Sequence, residues 1–101
     1  MDLSQELWTE KLLNDQNAAI IDVRTPEECE FGIIENAICI DIYKGQEFLD
    51  EISNLNKSKN YYVYCRSGGR SAQACAVMNQ LGIANAYNLL GGVMQWTGEL
   101  V

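Results

Sequence analysis

Histidine is absent from the 101 residues of this chain, proline occurs once and arginine three times. Without histidine, a cysteine or serine nucleophile lacks its commonest general base, which excludes a cysteine-protease mechanism. Zinc sites of the usual cysteine and histidine spacing are not expected either. The four cysteines, Cys29, Cys39, Cys65 and Cys75, contain no C-x-x-C pair. No metal and no cofactor is expected. Basic residues are scarce, 7 against 14 acids, giving a formal charge of −7 and a pI near 4.3. A surface so poor in cations is a bad match for phosphate backbones, so nucleic acid is not an expected partner. No apolar run approaches the ~18 residues of a membrane span, and the acidic opening Met1-Asp2-Leu3-Ser4-Gln5-Glu6 does not read as a signal peptide. The default expectation is a cytoplasmic protein with no membrane partner. In such a reducing setting Cys29, Cys39 and Cys75 read most simply as small buried hydrophobes.

The chain has no internal repeat, low-complexity tract or proline-rich linker, and its length predicts one domain over residues 1–101. Ser4 is a cap for a first helix carrying Leu7, Trp8 and Leu12 on one side. Ala18 to Val23 is an apolar run of strand length interrupted only by Asp22, as expected where both faces of a strand are covered. The single proline marks a junction: Thr25 as N-cap, Pro26 at the first helical position and Glu28 closing a capping box. Gly32 then permits a turn. A second strand is expected over Ala37–Ile42, a helix over Gln46–Ile52 and a third strand over Tyr61–Tyr64, whose tyrosines suit a strand by propensity. Ala74, Val77, Met78 and Leu81 fall at helical spacing ahead of Gly82, Ala86–Leu90 reads as a fourth strand, and Gly91-Gly92 opens a short last helix holding Trp96. Alternating strands and helices predict an α/β fold, a mostly parallel central sheet of four to five strands between helical layers. Ligands of such sheets bind beyond the carboxyl ends of the strands.

One of those ends is Cys65-Arg66-Ser67-Gly68-Gly69-Arg70-Ser71, which places two of the three arginines within five residues of a cysteine. A strand stopping at Cys65, a glycine loop and a helix starting near Arg70 or Ser71 leave several backbone N–H groups free to converge on one anion. An ordinary thiol, with pKa about 8.5, becomes mostly ionised at neutral pH only if that value falls by about two units, about 2.7 kcal/mol. A helix terminus supplies at most ~2 kcal/mol. Converging amides and the charges of Arg66 and Arg70 are expected to supply the remainder, and the arginines to hold an anionic substrate beside the thiolate. The competing reading of the same residues is a Gly-Gly turn flanked by solvated arginines with Cys65 merely buried.

Three stretches are similar to the rhodanese-like sulfurtransferase family in its single-domain form: Ile21-Asp22-Val23-Arg24-Thr25-Pro26-Glu27-Glu28, Tyr64-Cys65-Arg66-Ser67-Gly68-Gly69-Arg70-Ser71, and Leu90-Gly91-Gly92-Val93-Met94-Gln95-Trp96. The resemblance covers roughly residues 4 to 98. It implies the three-layer α/β/α rhodanese fold and thiosulfate sulfurtransferase activity: a persulfide formed on Cys65 with sulfur from a small anionic donor such as thiosulfate, cradled by the amides of Arg66, Ser67, Gly68, Gly69, Arg70 and Ser71, then passed to cyanide or another thiophilic acceptor. A protein that donates or accepts persulfide is a further implied partner. Attack on sulfane sulfur expels sulfite, a stable anion needing no proton, so the absence of histidine is no obstacle. Asp22 and Arg24 are expected in support, with Arg24 bonded to Asp22 or Glu28; an inconsequential surface ion pair is the alternative. The sequence departs from the family at Phe31-Gly32-Ile33-Ile34-Glu35-Asn36-Ala37, where a histidine after the glycine and then a proline-glycine pair are common, leaving the shape of that turn open. Gly91, Gly92 and Trp96 could shape the site rim, but Trp96 and Met94 are more simply core anchors for the last helix.

Other chemistries remain to be weighed. Phosphatases and arsenate reductases place arginine six residues after the cysteine to surround a tetrahedral oxyanion; here the interval from Cys65 to Arg70 is five and position 71 is serine. A non-catalytic persulfide relay or redox sensor is the alternative of a different class, with Cys75 as a resolving thiol.

Overall fold

The computed structural model describes residues 1–101. Five parallel strands form one sheet: β1 (Asp2–Leu3), β2 (Ala18–Asp22), β3 (Ile38–Cys39), β4 (Asn60–Tyr64) and β5 (Ala86–Leu89), in the order β1-β5-β4-β2-β3. Four α-helices join them: α1 (Gln5–Leu13), α2 (Pro26–Cys29), α3 (Gln46–Ser53) and α4 (Gly69–Gln80). The period-two alternation of β4 divides the interior into two layers. Tyr61, Val63 and Cys65 pack with Phe48 and Ile52 of α3 and Ala74, Cys75 and Met78 of α4. Tyr62 and Tyr64 face the other way, onto Trp8 of α1, Ile20, Ile34 and Leu89. Trp8 meets the edges of Tyr62, Tyr64 and Trp96 in T-shaped pairs, with centroids 5.7, 6.3 and 5.8 Å apart.

Local chemistry accounts for most boundaries. Ser4 accepts from the Leu7 amide, and Thr25 and Glu28 complete the reciprocal capping box around Pro26. The first strand was not evident in sequence because Asp2-Leu3 is too short to show a period; it forms by pairing with Asn88 and Leu89. The apolar run Ala37–Ile42 yields a strand of only two residues, Ile38 and Cys39, and then breaks into a 3-10 turn over Ile42–Lys44, capped by the Asp41 side chain. An edge strand has ladder bonds on one side only, so a local side-chain cap can end it early. Leu7 is exposed, leaving Trp8 and the half-buried Leu12 to carry the apolar face of α1.

The turn after α2 takes its own route. Gly32 (φ 129°) and Asn36 (φ 72°) both have positive φ, a conformation that asparagine tolerates better than other side-chain-bearing residues. Ile33 exchanges backbone hydrogen bonds with Val101, and the Ile34 amide donates to the Tyr64 hydroxyl at 3.0 Å. No helix is long and apolar enough to cross a membrane.

Candidate active site

Strand β4 delivers Cys65 to the carboxyl edge of the sheet, where the side chain is 1 % exposed. The chain then turns over Gly68, which adopts φ 105° as N-cap of α4 and so needs the left-handed freedom of glycine. Gly69 has no such need: its φ is not positive and an added Cβ would have nothing within 4 Å. The turn aims the Gly68 amide at Cys65 Sγ (3.1 Å) and the Ser71 amide at the same atom (3.4 Å), while Ser71 Oγ lies 3.3 Å from it. Burial raises the thiol pKa, but the Ser71 hydroxyl and the Ser71, Gly68 and Ser67 amides outweigh it, and the net shift is downward.

The arginines stand elsewhere than sequence reasoning put them. Both terminal nitrogens of Arg70 are engaged by Glu28, at 2.7 Å to Oε1 and 2.8 Å to Oε2, with the guanidinium over the Tyr43 ring. The Arg70 hydrogen bonds hold the Glu28 carboxyl at a pKa of about 2. Arg70 thus ties α4 to α2 and brings little free charge to the thiolate. Arg66 is exposed, and it lines a cleft of about 440 Å³ with Arg24, Glu28, Phe31, Val93, Met94 and Leu100. Met94, expected in the core, is 67 % exposed there. Trp96 is half-buried against Trp8, its indole N–H donating to the Glu99 carbonyl.

Arg24 pairs with Asp22 and not with Glu28. The Asp22 carboxylate, fully buried at the end of β2, accepts from the Arg24 backbone N–H and Nε at 3.0 Å and from Nη2 at 2.7 Å. Arg24 is 5 % exposed and also donates to the Gly32 carbonyl at 2.7 Å, so this is an internal brace and not a surface pair. Burial disfavours the Arg24 charge, and the hydrogen bonds of Asp22 overcome it and raise its pKa.

One contributor was missed in the sequence. Asn88, buried in β5, accepts from Ser71 Oγ through its carbonyl oxygen while its amide donates to Asp2 and to the Gly68 carbonyl. Its signal was available: one amide inside the apolar run Ala86–Leu90. Gly92 (φ 56°), read in the sequence as able to shape the site rim, lies against the loop itself. The turn after it hydrogen-bonds the start of the loop, Val93 N–H to the Cys65 carbonyl (3.0 Å) and Met94 N–H to that of Arg66 (2.9 Å). A Cβ on Gly92 would lie 2.5 Å from the Cys65 carbonyl oxygen. Gly92 therefore serves close backbone approach. The remaining cysteines divide: Cys75 is buried in the core, but Cys39 is exposed and Cys29 half-buried, and these two sulfurs lie with an Asp22 oxygen within 4.8 Å of one another. The expectation that both were buried hydrophobes does not hold.

What this arrangement can do follows from its donors. An Sγ that accepts two amides and a hydroxyl, with no imidazole in the chain, is equipped to exist as an anion and not to abstract a proton. Comparison with known proteins identifies the family. The Rhodanese-like domain family matches residues 6–99. The chain is 33 % identical over 95 residues to a sulfurtransferase of Allochromatium vinosum, covering 94 % of this chain and 86 % of that one. It is 34 % identical over 98 residues to the putative sulfurtransferase YtwF of Bacillus subtilis, covering 97 % and 91 %. The crystal structure of a rhodanese-like domain protein from Staphylococcus aureus superposes with a TM-score of 0.84 at 34 % identity, over 99 % of this chain and 95 % of that chain. With a family match over residues 6–99, more than 30 % identity to sulfurtransferases over nearly the whole chain and a matching fold, the chain belongs to the rhodanese-like sulfurtransferase family.

Proposed function

We propose that Cys65 is the nucleophile of a thiosulfate sulfurtransferase. The observation that carries this reading is the convergence of the Gly68 and Ser71 amides and the Ser71 hydroxyl on a single sulfur in a chain without histidine. In the first step the Cys65 thiolate attacks the outer sulfur of thiosulfate; the S–S bonding pair leaves with sulfite, and Cys65 carries a persulfide anion. Charge is conserved and no proton moves, so no general base is required. The same amides then face the new anion. In the second step a thiophilic acceptor attacks the outer sulfur, and the electron pair returns to Cys65 Sγ. Cyanide would leave as thiocyanate, a thiol as its persulfide.

Two features support sulfur transfer over oxyanion hydrolysis. A sulfur that is 1 % exposed at the floor of its loop suits a donor whose reactive atom projects from the rest of the molecule, and thiosulfate presents its outer sulfur that way. The arginine that would have to grip a tetrahedral oxyanion is instead held by both oxygens of Glu28. The exposed Phe31 and Met94 beside Arg66 at the cleft favour an acceptor thiol carried on a larger, anionic molecule as the second substrate.

The test is intact-protein mass after incubation with thiosulfate, in wild type and Cys65→Ala. Wild type is expected to gain the mass of one sulfur atom and to lose it on addition of cyanide or a thiol; the variant gains nothing. A chain that stays unmodified but hydrolyses aryl phosphates through Cys65 would refute the proposal.

A further inference from the structure

Cys29 and Cys39 take no part in the chemistry of the Cys65 loop. Cys29 ends the four-residue helix α2, and Cys39 ends the two-residue edge strand β3, where it is the register partner of Asp22. The two sulfurs and a carboxylate oxygen of Asp22 all lie within 4.8 Å of one another. Two thiols so placed can share a soft cation or join to each other, and Asp22 decides between them. Its oxygens already accept three N–H groups of Arg24, a buried cation with no other carboxylate partner. A metal ion using that carboxylate would displace or face the guanidinium, and zinc would find three protein ligands where closed sites have four. A disulfide is uncharged and makes no demand on Asp22.

We propose that Cys29 and Cys39 form a dithiol–disulfide pair, oxidised through the exposed Cys39 by a low-molecular-weight disulfide. The Cys39 thiolate attacks one sulfur of R–S–S–R, forming Cys39–S–S–R and releasing one thiolate. Cys29 then loses its proton to solvent, attacks Cys39 Sγ and expels the second thiolate. The two protein thiols lose two electrons and two protons, and the external disulfide is reduced to two thiols. Bond formation requires the sulfurs to close to about 2.05 Å, a relative motion of up to ~3 Å. Rotation of both side chains shares that motion with β3, which is hydrogen-bonded on one side only. The closed loop would contain Gly32, whose carbonyl holds Arg24, and would tie the end of α2, next to Glu28, to the sheet edge. This pair uses no property of Cys65, so it stands or falls independently of sulfur transfer.

The experiment is incubation of the full chain with oxidised glutathione, alkylation of remaining thiols, and mass mapping after cleavage at Glu30 and Glu35, which separates the two cysteines. The expected result is a reductant-sensitive link between the Cys29 and Cys39 fragments and a thermal midpoint above that of the reduced protein. Cys29→Ser should instead trap glutathione on Cys39, and Cys39→Ser, at an exposed position that leaves the fold intact by circular dichroism, should abolish the link. A stable glutathione adduct on Cys39 of wild type, or recovery of both cysteines alkylated, would overturn the proposal. So would one equivalent of zinc held by the reduced wild type and lost in Cys39→Ser, which would assign the cluster to a metal.

Discussion

Ser71 offers the sharpest test of how the thiolate is stabilised. Its hydroxyl has one proton and two acceptors within reach, Cys65 Sγ at 3.3 Å and the Asn88 carbonyl oxygen. The Asn88 amide cannot flip to relieve the competition without losing its bonds to Asp2 and to the Gly68 carbonyl. With Cys65 as a thiol the hydroxyl proton belongs to Asn88; with Cys65 ionised it turns to the sulfur. The gain is a bond to a charged acceptor, about 1.5–3 kcal/mol, less the neutral bond given up, about 1 kcal/mol, leaving roughly 0.5–2 kcal/mol. At about 1.36 kcal/mol per pH unit, Ser71→Ala should raise the Cys65 pKa by roughly 0.4–1.5 units. The Gly68 and Ser71 amides remain and continue to oppose the effect of burial. Asn88→Ala removes the competitor and should move the pKa the opposite way, at a cost in stability. The rate of alkylation by iodoacetamide against pH, with Cys65→Ala as the blank, reads both shifts. If Ser71→Ala titrates like wild type, the hydroxyl belongs to Asn88 in both states and the amides alone hold the charge.

Other perturbations bear on the scaffold. Asp22→Asn leaves the Arg24 charge buried without its partner, so a loss of about 3–5 kcal/mol is expected, seen as a fall in thermal midpoint of well over 10 °C at roughly 4–8 °C per kcal/mol; an unchanged midpoint would show that the pair is not the brace described above. Gly92→Ala drives a methyl into the Cys65 and Arg66 carbonyls at a positive φ and should cost at least about 2 kcal/mol along with sulfur-transfer activity. Gly69→Ala, which meets nothing, should fold as stably as wild type, and the two melting curves together separate steric need from mere presence of glycine. The Glu28 carboxyl, held at about 2 against an ordinary 4.5, adds stability that is complete above 4.5 and is lost as pH falls towards 2. Glu28→Gln should therefore flatten the acid limb of the stability curve between those values, and equal acid limbs for both proteins would show that the Arg70 pair contributes nothing to folding.

Much of the scaffold is legible in the chain because its signals are local. The box at Thr25-Pro26-Glu27-Glu28, the apolar run into Asp22 and the helical spacing from Ala74 to Leu81 each draw on neighbours within about four residues, and they predict the parallel α/β order that the sheet adopts. The strand end at Cys65 followed by glycines likewise predicts amides around a sulfur. Partner choice is where local reasoning stops. Arg24 and Arg70 each had several acids to choose from in the sequence. Only the placement of α2 against the start of α4 gives Glu28 to Arg70, which leaves Arg24 to its near neighbour Asp22. Asn88 reaches Ser71, and Cys29 reaches Cys39, across gaps that no period spans. The short β1 and β3 exist only where a neighbouring strand offers its edge. Sequence alone placed a cysteine at a strand end, the glycine turn after it and the absence of histidine, since those depend on residue type and adjacency. Tertiary structure decided which charges and hydroxyls reach that sulfur, because hydrogen bonds and ion pairs depend on distances set by packing.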